Sequence, residues 1–374
     1  MIAKRIVYRD FRNIEQADIS LSPGVNVFLG NNAEGKTNAL EGIYLMAAAR
    51  SFRTPREREM VRFGAPFFEA ALTMEDVRRE QELTFKVFSA DSGHRRICTK
   101  NGVAIPRISE MVGVFRAVLF CPEHLAIVKA GPAERRGFLD IAICQLRPLY
   151  LQALQRHNKI LTQRNALLKQ LADGNGEPGL LDIYSEQLSR EAALIYVTRR
   201  EYIRRLDEYV KHFFAELSGE TEVPSLLYKN SLKTAESDNL LEMDAASRYM
   251  TLLTSNRARE IAAGATLYGS HKDDVEISLN GREARLYASQ GQQRSLALAM
   301  KLGEGEISMT YTGEYPVFLF DDVLSELDGR RQEFLLSRLG ERQVIMTACT
   351  PPDTPHLGDA KFITVRGGRY EEAD

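Results

Sequence analysis

Tryptophan is absent from this sequence, cysteine occurs only four times, and neither sign of charge prevails: 49 Lys and Arg stand against 51 Asp and Glu, a formal net charge of −2. Each shortage excludes something. The near balance speaks against a uniformly basic, histone-like coat for nucleic acid, while leaving room for a local basic face. Cys98, Cys121, Cys144 and Cys349 form no Cys-x-x-Cys pair, and the histidines make no His-Glu-x-x-His, so the spacing offers no structural zinc site. Four scattered thiols suit a reducing compartment better than a disulfide framework. No apolar run approaches the ~18 residues of a membrane span. The opening MIAKRIVYRDF lacks the apolar core of a secretory signal, so a cytoplasmic protein without a membrane partner is expected.

What remains is ordinary globular material. With 374 residues, 44% hydrophobic and 27% charged, the chain can bury a real core and divide into two or three domains. Short strand patterns run over Ile2–Tyr8 and Ile14–Leu21. Ser22-Pro23-Gly24 then marks a turn, and Val25–Leu29 reads as a buried parallel strand. Leu40, Ile43, Tyr44 and Ala47 share one helical face. From residue 133 the pattern is helical. Leu146, Tyr150, Ala153, Ile160, Leu167 and Leu171 form a seam that His157 and Arg164 interrupt, and Asp173–Gly179 breaks it. Further helices are expected over about 180–217 and 240–263. A helix of ~27 residues would be about 40 Å long, enough for an arm. Val275–Leu279, Asn280-Gly281 and Arg282–Tyr287 read as a type I′ hairpin. A helix follows from Gln292, and Val317–Phe320, Val344–Thr347 and Phe362–Val365 read as later strands.

Four motifs carry chemistry. Gly30-Asn31-Asn32-Ala33-Glu34-Gly35-Lys36-Thr37 is a complete G-x-x-x-x-G-K-[ST] between an apolar strand and an amphipathic helix. Its backbone N–H groups can cradle phosphate oxygens, with the helix N-terminus adding positive potential. Lys36 would reach the β- and γ-phosphates of a bound nucleotide, and Thr37 would bind Mg²⁺. The strand Val317–Phe320 ends in Asp321, a second magnesium residue, and Asp322, placed to take a proton from the attacking water. Ser289-Gln290-Gly291-Gln292 opens a helix. Ser289 with Gln292 makes a capping box, and the same exposed N-terminus makes a second phosphate site. Two such half-sites in one chain point to two subunits sandwiching two nucleotides head to tail. Ser325-Glu326-Leu327-Asp328 follows the acidic pair; alone it is also a plain helix start.

Two arginine groups stand out. Arg50, Arg53, Arg56, Arg58 and Arg62 follow the glycine-loop helix, and Arg199, Arg200, Arg204 and Arg205 lie in the helical stretch. Either could neutralise DNA phosphates, or simply solvate a face. His271 to Asp274 reads as polar residues entering the hairpin, or as an interface or nucleotide-sensing element.

The order of these motifs resembles that of an ABC-type ATPase, and more narrowly the bacterial RecF family of recombination-repair proteins, relatives of the SMC proteins. The matching segments span nearly the whole chain: Phe11-Arg12-Asn13, the loop through Asn38, Ser51–Thr54, Arg135-Arg136 with Phe138–Asp140, Gly269–Asp274, Ser289–Arg294 and Asp321–Asp328. The resemblance implies an α/β ATPase head, residues 1–132 and 253–374, with an inserted helical arm at 133–252. It implies Ser289, Gly291 and Gln292 acting on the partner subunit's nucleotide, and Asp328 near the dimer seam. It further implies an ATP-dependent homodimer on double-stranded, gapped or junction DNA, helping RecR and RecO load the recombinase RecA, with weak DNA-stimulated hydrolysis.

The chain departs from the pattern in two places. Asp322 stands where transporter and SMC ATPases carry Glu, and Thr347-Ala348-Cys349 stands where many ABC enzymes carry a His. Both predict a slow switch, below the ~10 s⁻¹ median of ordinary enzymes. The rival readings are a transporter subunit, an SMC-like structural DNA tether and a small-molecule kinase.

Overall fold

The computed structural model describes residues 1–89, 96–125, 127–219, 222–233, 240–340, 342–351 and 359–372. It divides into two units: residues 1–126 with 290–374, and 127–289.

The first unit holds two six-stranded sheets. One is parallel except at one edge. Its order is Arg369–Glu372, Lys361–Arg366, Val25–Leu29, Val344–Ala348, Val317–Phe320 and Ala117–Phe120. Val317–Phe320, an unbroken apolar run, and Val344–Ala348, apolar except for Thr347, are buried at every position, as expected when both sheet faces are covered. The second sheet is antiparallel and ordered Ile14–Ser20, Ile2–Phe11, Phe67–Glu75, Glu80–Phe88, Arg96–Lys100 and Val103–Ala104. Phe67–Glu75 and Glu80–Phe88 alternate buried and less buried residues, the period-2 signature of a one-sided sheet. Their inward side chains pack an aromatic cluster in which Phe11 meets Tyr8, Phe68 and, through it, Phe85.

The two sheets are tied at specific points. The Gln343 side chain accepts from Ala3 N–H at 2.7 Å and donates to Ala3 C=O at 2.7 Å, satisfying both backbone groups of that residue. The Tyr8 hydroxyl donates to Ala39 C=O at 2.5 Å, which fixes the helix Lys36–Ala48 against the antiparallel sheet.

The second unit contains helices Pro132–Leu146, Pro148–Ala172, Pro178–Ser218, Glu242–Ser255 and Arg257–Ala263, with a sheet of Pro224–Lys229, Asp274–Leu279 and Arg282–Glu283. Three of these helices begin with proline, whose missing N–H costs nothing in a first turn. Pro178–Ser218 has 41 residues, about 60 Å at ~1.5 Å per residue. The unit is wider than the 133–252 stretch expected for the arm. Asp274–Leu279 pairs with Pro224–Lys229, a strand that lies between two of the helices in the chain, so the hairpin region belongs to the same unit.

Two local features depart from the sequence pattern. The hairpin reading extends its second strand to Tyr287, but pairing stops at Glu283 and Ala284–Tyr287 coils into a helical turn around the buried Ala284. The turn itself is as expected, with Asn280 and Gly281 at φ 51° and 74°. Arg199 falls in a cluster read as a possible DNA contact, yet it is 2% exposed. It donates to Asp140 at 2.8 Å, to the Tyr150 hydroxyl at 2.9 Å and to Ser270 C=O at 2.7 Å. The breaks in the helical seam have the same origin. Buried Arg164 pairs with Glu260 at 2.7 Å, and buried His157 meets the Ser270 hydroxyl at 3.1 Å. These groups satisfy one another because an unpaired buried charge would cost several kcal/mol.

Candidate functional site

The glycine loop joins the strand Val25–Leu29 to the helix Lys36–Ala48, at the carboxyl ends of the parallel strands, where open α/β sheets bind ligands. Ala33 (φ 67°) and Gly35 (φ 119°) both take left-handed backbone, which turns successive N–H groups inward. Gly30 is required by closeness: a Cβ there would lie 2.4 Å from Val365 C=O. Among the described residues the helix has no side-chain N-cap and no acid in its first turn, so its positive end is uncompensated and suited to an anion. Asn13 donates to Glu34 C=O at 3.1 Å, and the Tyr370 hydroxyl donates to Gly35 C=O at 2.8 Å, bracing the loop from two sides.

Lys36 folds back over the loop, donating to Gly30 C=O at 2.5 Å and Asn31 C=O at 2.9 Å. Its Nζ lies 3.6 Å from Cys349 Sγ, which in turn lies 3.1 Å from Asn32 Oδ1. The Thr37 hydroxyl donates to Asp321 Oδ1 at 2.7 Å, joining residues 284 positions apart. The Thr347 hydroxyl donates to the same oxygen at 3.1 Å. Burial raises the Asp321 carboxyl above its ordinary range, and the bonds from Thr37 and Thr347 oppose that rise. The side-chain groups meeting at Asp321 are all oxygen, the donor set a hard cation such as Mg²⁺ takes. Asp322 is exposed, has φ 52°, and donates its N–H to Thr347 Oγ1 at 2.9 Å.

Ser289-Gln290-Gly291-Gln292, the signature segment, and the residues around it form a second cluster. Ser289 is exposed and immediately precedes the helix Gln290–Thr312. Arg331 donates to Gly291 C=O at 3.0 Å and to the Ser295 hydroxyl at 2.8 Å, and it pairs with Asp328. Asp328 also caps the helix Gly329–Leu339 by accepting from Arg331 N–H at 3.0 Å. A helix does start here, but Asp328 is its cap rather than Ser325, whose hydroxyl donates to Asp322 C=O at 2.7 Å in the preceding turn. Arg294 binds Glu326 at 2.8 Å, so two arginines fasten the signature helix to the segment after the acidic pair. Gln292 is half-buried.

Arg50, Arg53, Arg56 and Arg58 are all exposed. Arg53 is nonetheless engaged, donating to Asn38 Oδ1 at 2.7 Å and lying 3.3 Å from the buried Glu41. Glu41 also receives Arg12 at 2.6 Å and the Ser51 hydroxyl at 2.5 Å. This links Phe11-Arg12-Asn13 and Ser51–Thr54 to the glycine-loop helix, a role that their spacing does not reveal. Arg62 is tied to Glu15 at 2.9 Å. Within His271 to Asp274, Asp273 is 1% exposed and accepts from the Tyr228 hydroxyl at 2.5 Å, Arg135 binds the half-buried Asp274 with two donors, and Lys272 is exposed.

A family model described as the RecF/RecN/SMC N terminal domain matches residues 2–354. The chain is 36% identical over 374 residues to a protein of Acetivibrio thermocellus described as DNA replication and repair protein RecF, covering 99% of each. It is similar to the solved structure of a recombination mediator protein, RecF-ATPrS in the RecFOR pathway, at TM-score 0.92 and 31% identity, covering 100% of this chain and 98% of that one. An Smc head bound to the C-winged helix domain of ScpA matches at TM-score 0.58 and 15% identity, covering 100% of this chain and 97% of that one, a likeness of fold alone.

Proposed function

This chain belongs to the RecF family, within the wider RecF/RecN/SMC group, and from that premise we propose that it binds MgATP, closes into a head-to-tail homodimer on DNA, and opens again after slow hydrolysis. The observation that carries the reading is the meeting of Thr37 with Asp321 beside an uncapped helix N-terminus. Residues 30–37 supply the phosphate cradle, with Lys36 released from its loop carbonyls toward the nucleotide. Thr37 and Asp321 would hold Mg²⁺, which neutralises charge on the phosphates when bound. Asp322 takes the water proton. Ser289, Gly291 and Gln292 complete the partner's site, with Asp328 at the seam.

The substrate DNA is gapped or carries a junction between double and single strands, and the cellular task is replication and recombinational repair, loading the recombinase RecA together with RecR and RecO. Support comes from the RecF relatives and from the exposed Arg50, Arg56 and Arg58, which follow the glycine-loop helix. Their charge neutralises phosphates without reading sequence. Weak turnover follows from the short Asp322 and from Thr347-Ala348-Cys349 in the region where many ABC enzymes place a His, and its stimulation by DNA follows from the family reading.

Light scattering on the Asp322→Asn protein tests this reading. MgATP should convert monomer to dimer, a gapped duplex should strengthen the dimer, and Ser289→Arg should abolish it. A protein that binds ATP yet stays monomeric throughout would overturn the sandwich.

A further inference from the structure

The strand Val344–Ala348 lies between the strand that feeds the glycine loop and the strand that ends in the acidic pair. Its sequence is Val-Ile-Met-Thr-Ala, and Thr347, the one residue in it with a polar side chain, is 2% exposed. A hydroxyl buried in such a strand is costly unless hydrogen-bonded.

Here it is bonded on both sides, and the directions are fixed by chemistry. The Asp322 N–H can only donate, so Thr347 Oγ1 accepts from it at 2.9 Å. The single hydroxyl proton is then free for Asp321 Oδ1 at 3.1 Å. Asp322 needs such an anchor because its φ of 52° lies in a region that residues with side chains rarely occupy and that persists only when surroundings impose it. The Ser325 hydroxyl holds the residue from its other side, donating to Asp322 C=O at 2.7 Å. The Asp322 backbone is thus clamped while its carboxylate stays exposed.

We propose that Thr347 is a positioning residue for ATP hydrolysis, one hydroxyl that sets the general base Asp322 in register with the metal-binding Asp321. The role rests on the reading of Asp322 as the base. It goes beyond that reading because Thr347 acts through the two acids rather than on phosphate or water. It makes the end of this strand part of the catalytic geometry, through the backbone of one acid and the side chain of the other.

The test compares Thr347→Val, which keeps the shape and removes the hydroxyl, with Thr347→Ser, which keeps the hydroxyl. ATP affinity, kcat and the double variants with Asp322→Asn are measured. Thr347→Val should lower kcat by about tenfold or more, since small misplacements of a catalytic group are expensive. It should leave ATP affinity within about threefold, the non-additive split expected of a group that acts through another. Thr347→Ser should restore turnover. In the residual turnover of Asp322→Asn, adding Thr347→Val should cost nothing further.

Wild-type turnover in Thr347→Val, at full ATP occupancy, overturns the role and leaves the ATPase reading intact. So does a full additional loss in the Asp322→Asn background, because Thr347 would then act elsewhere. Parallel loss of ATP binding in both threonine variants, one of which keeps the hydroxyl, would make the side chain a packing element of the strand and also overturn it. A wild-type protein that binds ATP without any turnover overturns the base assignment and this role together.

Discussion

The Thr37 hydroxyl and the Asp321 carboxylate share a 2.7 Å hydrogen bond across the mouth of the parallel sheet. One follows the first glycine-bounded loop and the other ends a strand near the far end of the chain, so the bond exists only in the folded protein. Thr37→Val keeps the side-chain shape and deletes the donor. MgATP affinity should fall by about tenfold, the loss of ~1.4 kcal/mol. Binding of ATP with magnesium chelated should change far less. Titration calorimetry with and without EDTA separates the two, and equal affinity for MgATP in wild type and variant would remove Thr37 from the metal site.

The arginine run divides once its partners are known. Arg53 is held by Asn38 and Glu41, on the glycine-loop helix. Arg56 is 80% exposed, and its ion pair to Glu59 at 3.5 Å is worth little in solvent. An Arg56→Ala/Arg58→Ala protein should therefore show a salt slope for DNA binding lower by about 2, at ~0.9 for each phosphate no longer neutralised, with ATP affinity intact. Arg53→Ala should weaken ATP turnover as well. An unchanged slope in the double variant would place the DNA elsewhere.

Much of the site is legible in the sequence because its motifs are local. Eight consecutive residues, 30–37, specify the loop, and an apolar strand followed by two acids specifies the acidic end that meets Thr37. The two arginine clusters cannot be sorted the same way. Arg199 and Arg204 look alike in sequence, yet one is buried with Asp140 and Asp273 while the other is 65% exposed beside Glu208. The partners of Arg199 lie dozens of positions away in the chain, and no periodicity announces that. The role of Thr347 is hidden for a related reason. Its value lies in which strand it neighbours, and strand order is a property of the fold.

Burial pushes the His157 and His271 imidazoles down to about 4 from an ordinary 6.5, so the folded second unit holds them neutral. Above pH 6.5 neither the folded nor the unfolded state is penalised. As the pH falls toward 4 the unfolded chain takes up protons that the folded unit resists, and stability is lost. The loss approaches about 3 kcal/mol per imidazole at ~1.36 kcal/mol per pH unit. Denaturant midpoints at pH 7 and pH 4.5 should diverge in the wild type and diverge less in His157→Gln. Equal divergence would assign the acid sensitivity to other groups.

Arg331 is the residue on which the signature cluster turns. It binds Gly291 C=O and the Ser295 hydroxyl on one helix and pairs with Asp328, whose carboxylate caps the next. Its partners are not those of the Thr37–Asp321 cluster, so a protomer lacking it should still bind nucleotide normally. Loosening the first turn of the signature helix should instead misplace Ser289 and Gly291 for a neighbouring subunit. Arg331→Ala is therefore expected to raise the dissociation constant of the ATP-dependent dimer by about tenfold, the ~1.4 kcal/mol of a missing charge-assisted bond. ATP affinity measured at low protein concentration should stay unchanged. Sedimentation velocity over a concentration series, in the Asp322→Asn background to hold ATP in place, gives the dimer constant, and calorimetry gives the ATP affinity. A fall in nucleotide affinity with dimerisation untouched would mean that Arg331 serves its own subunit's site, and that the head-to-tail arrangement needs another anchor.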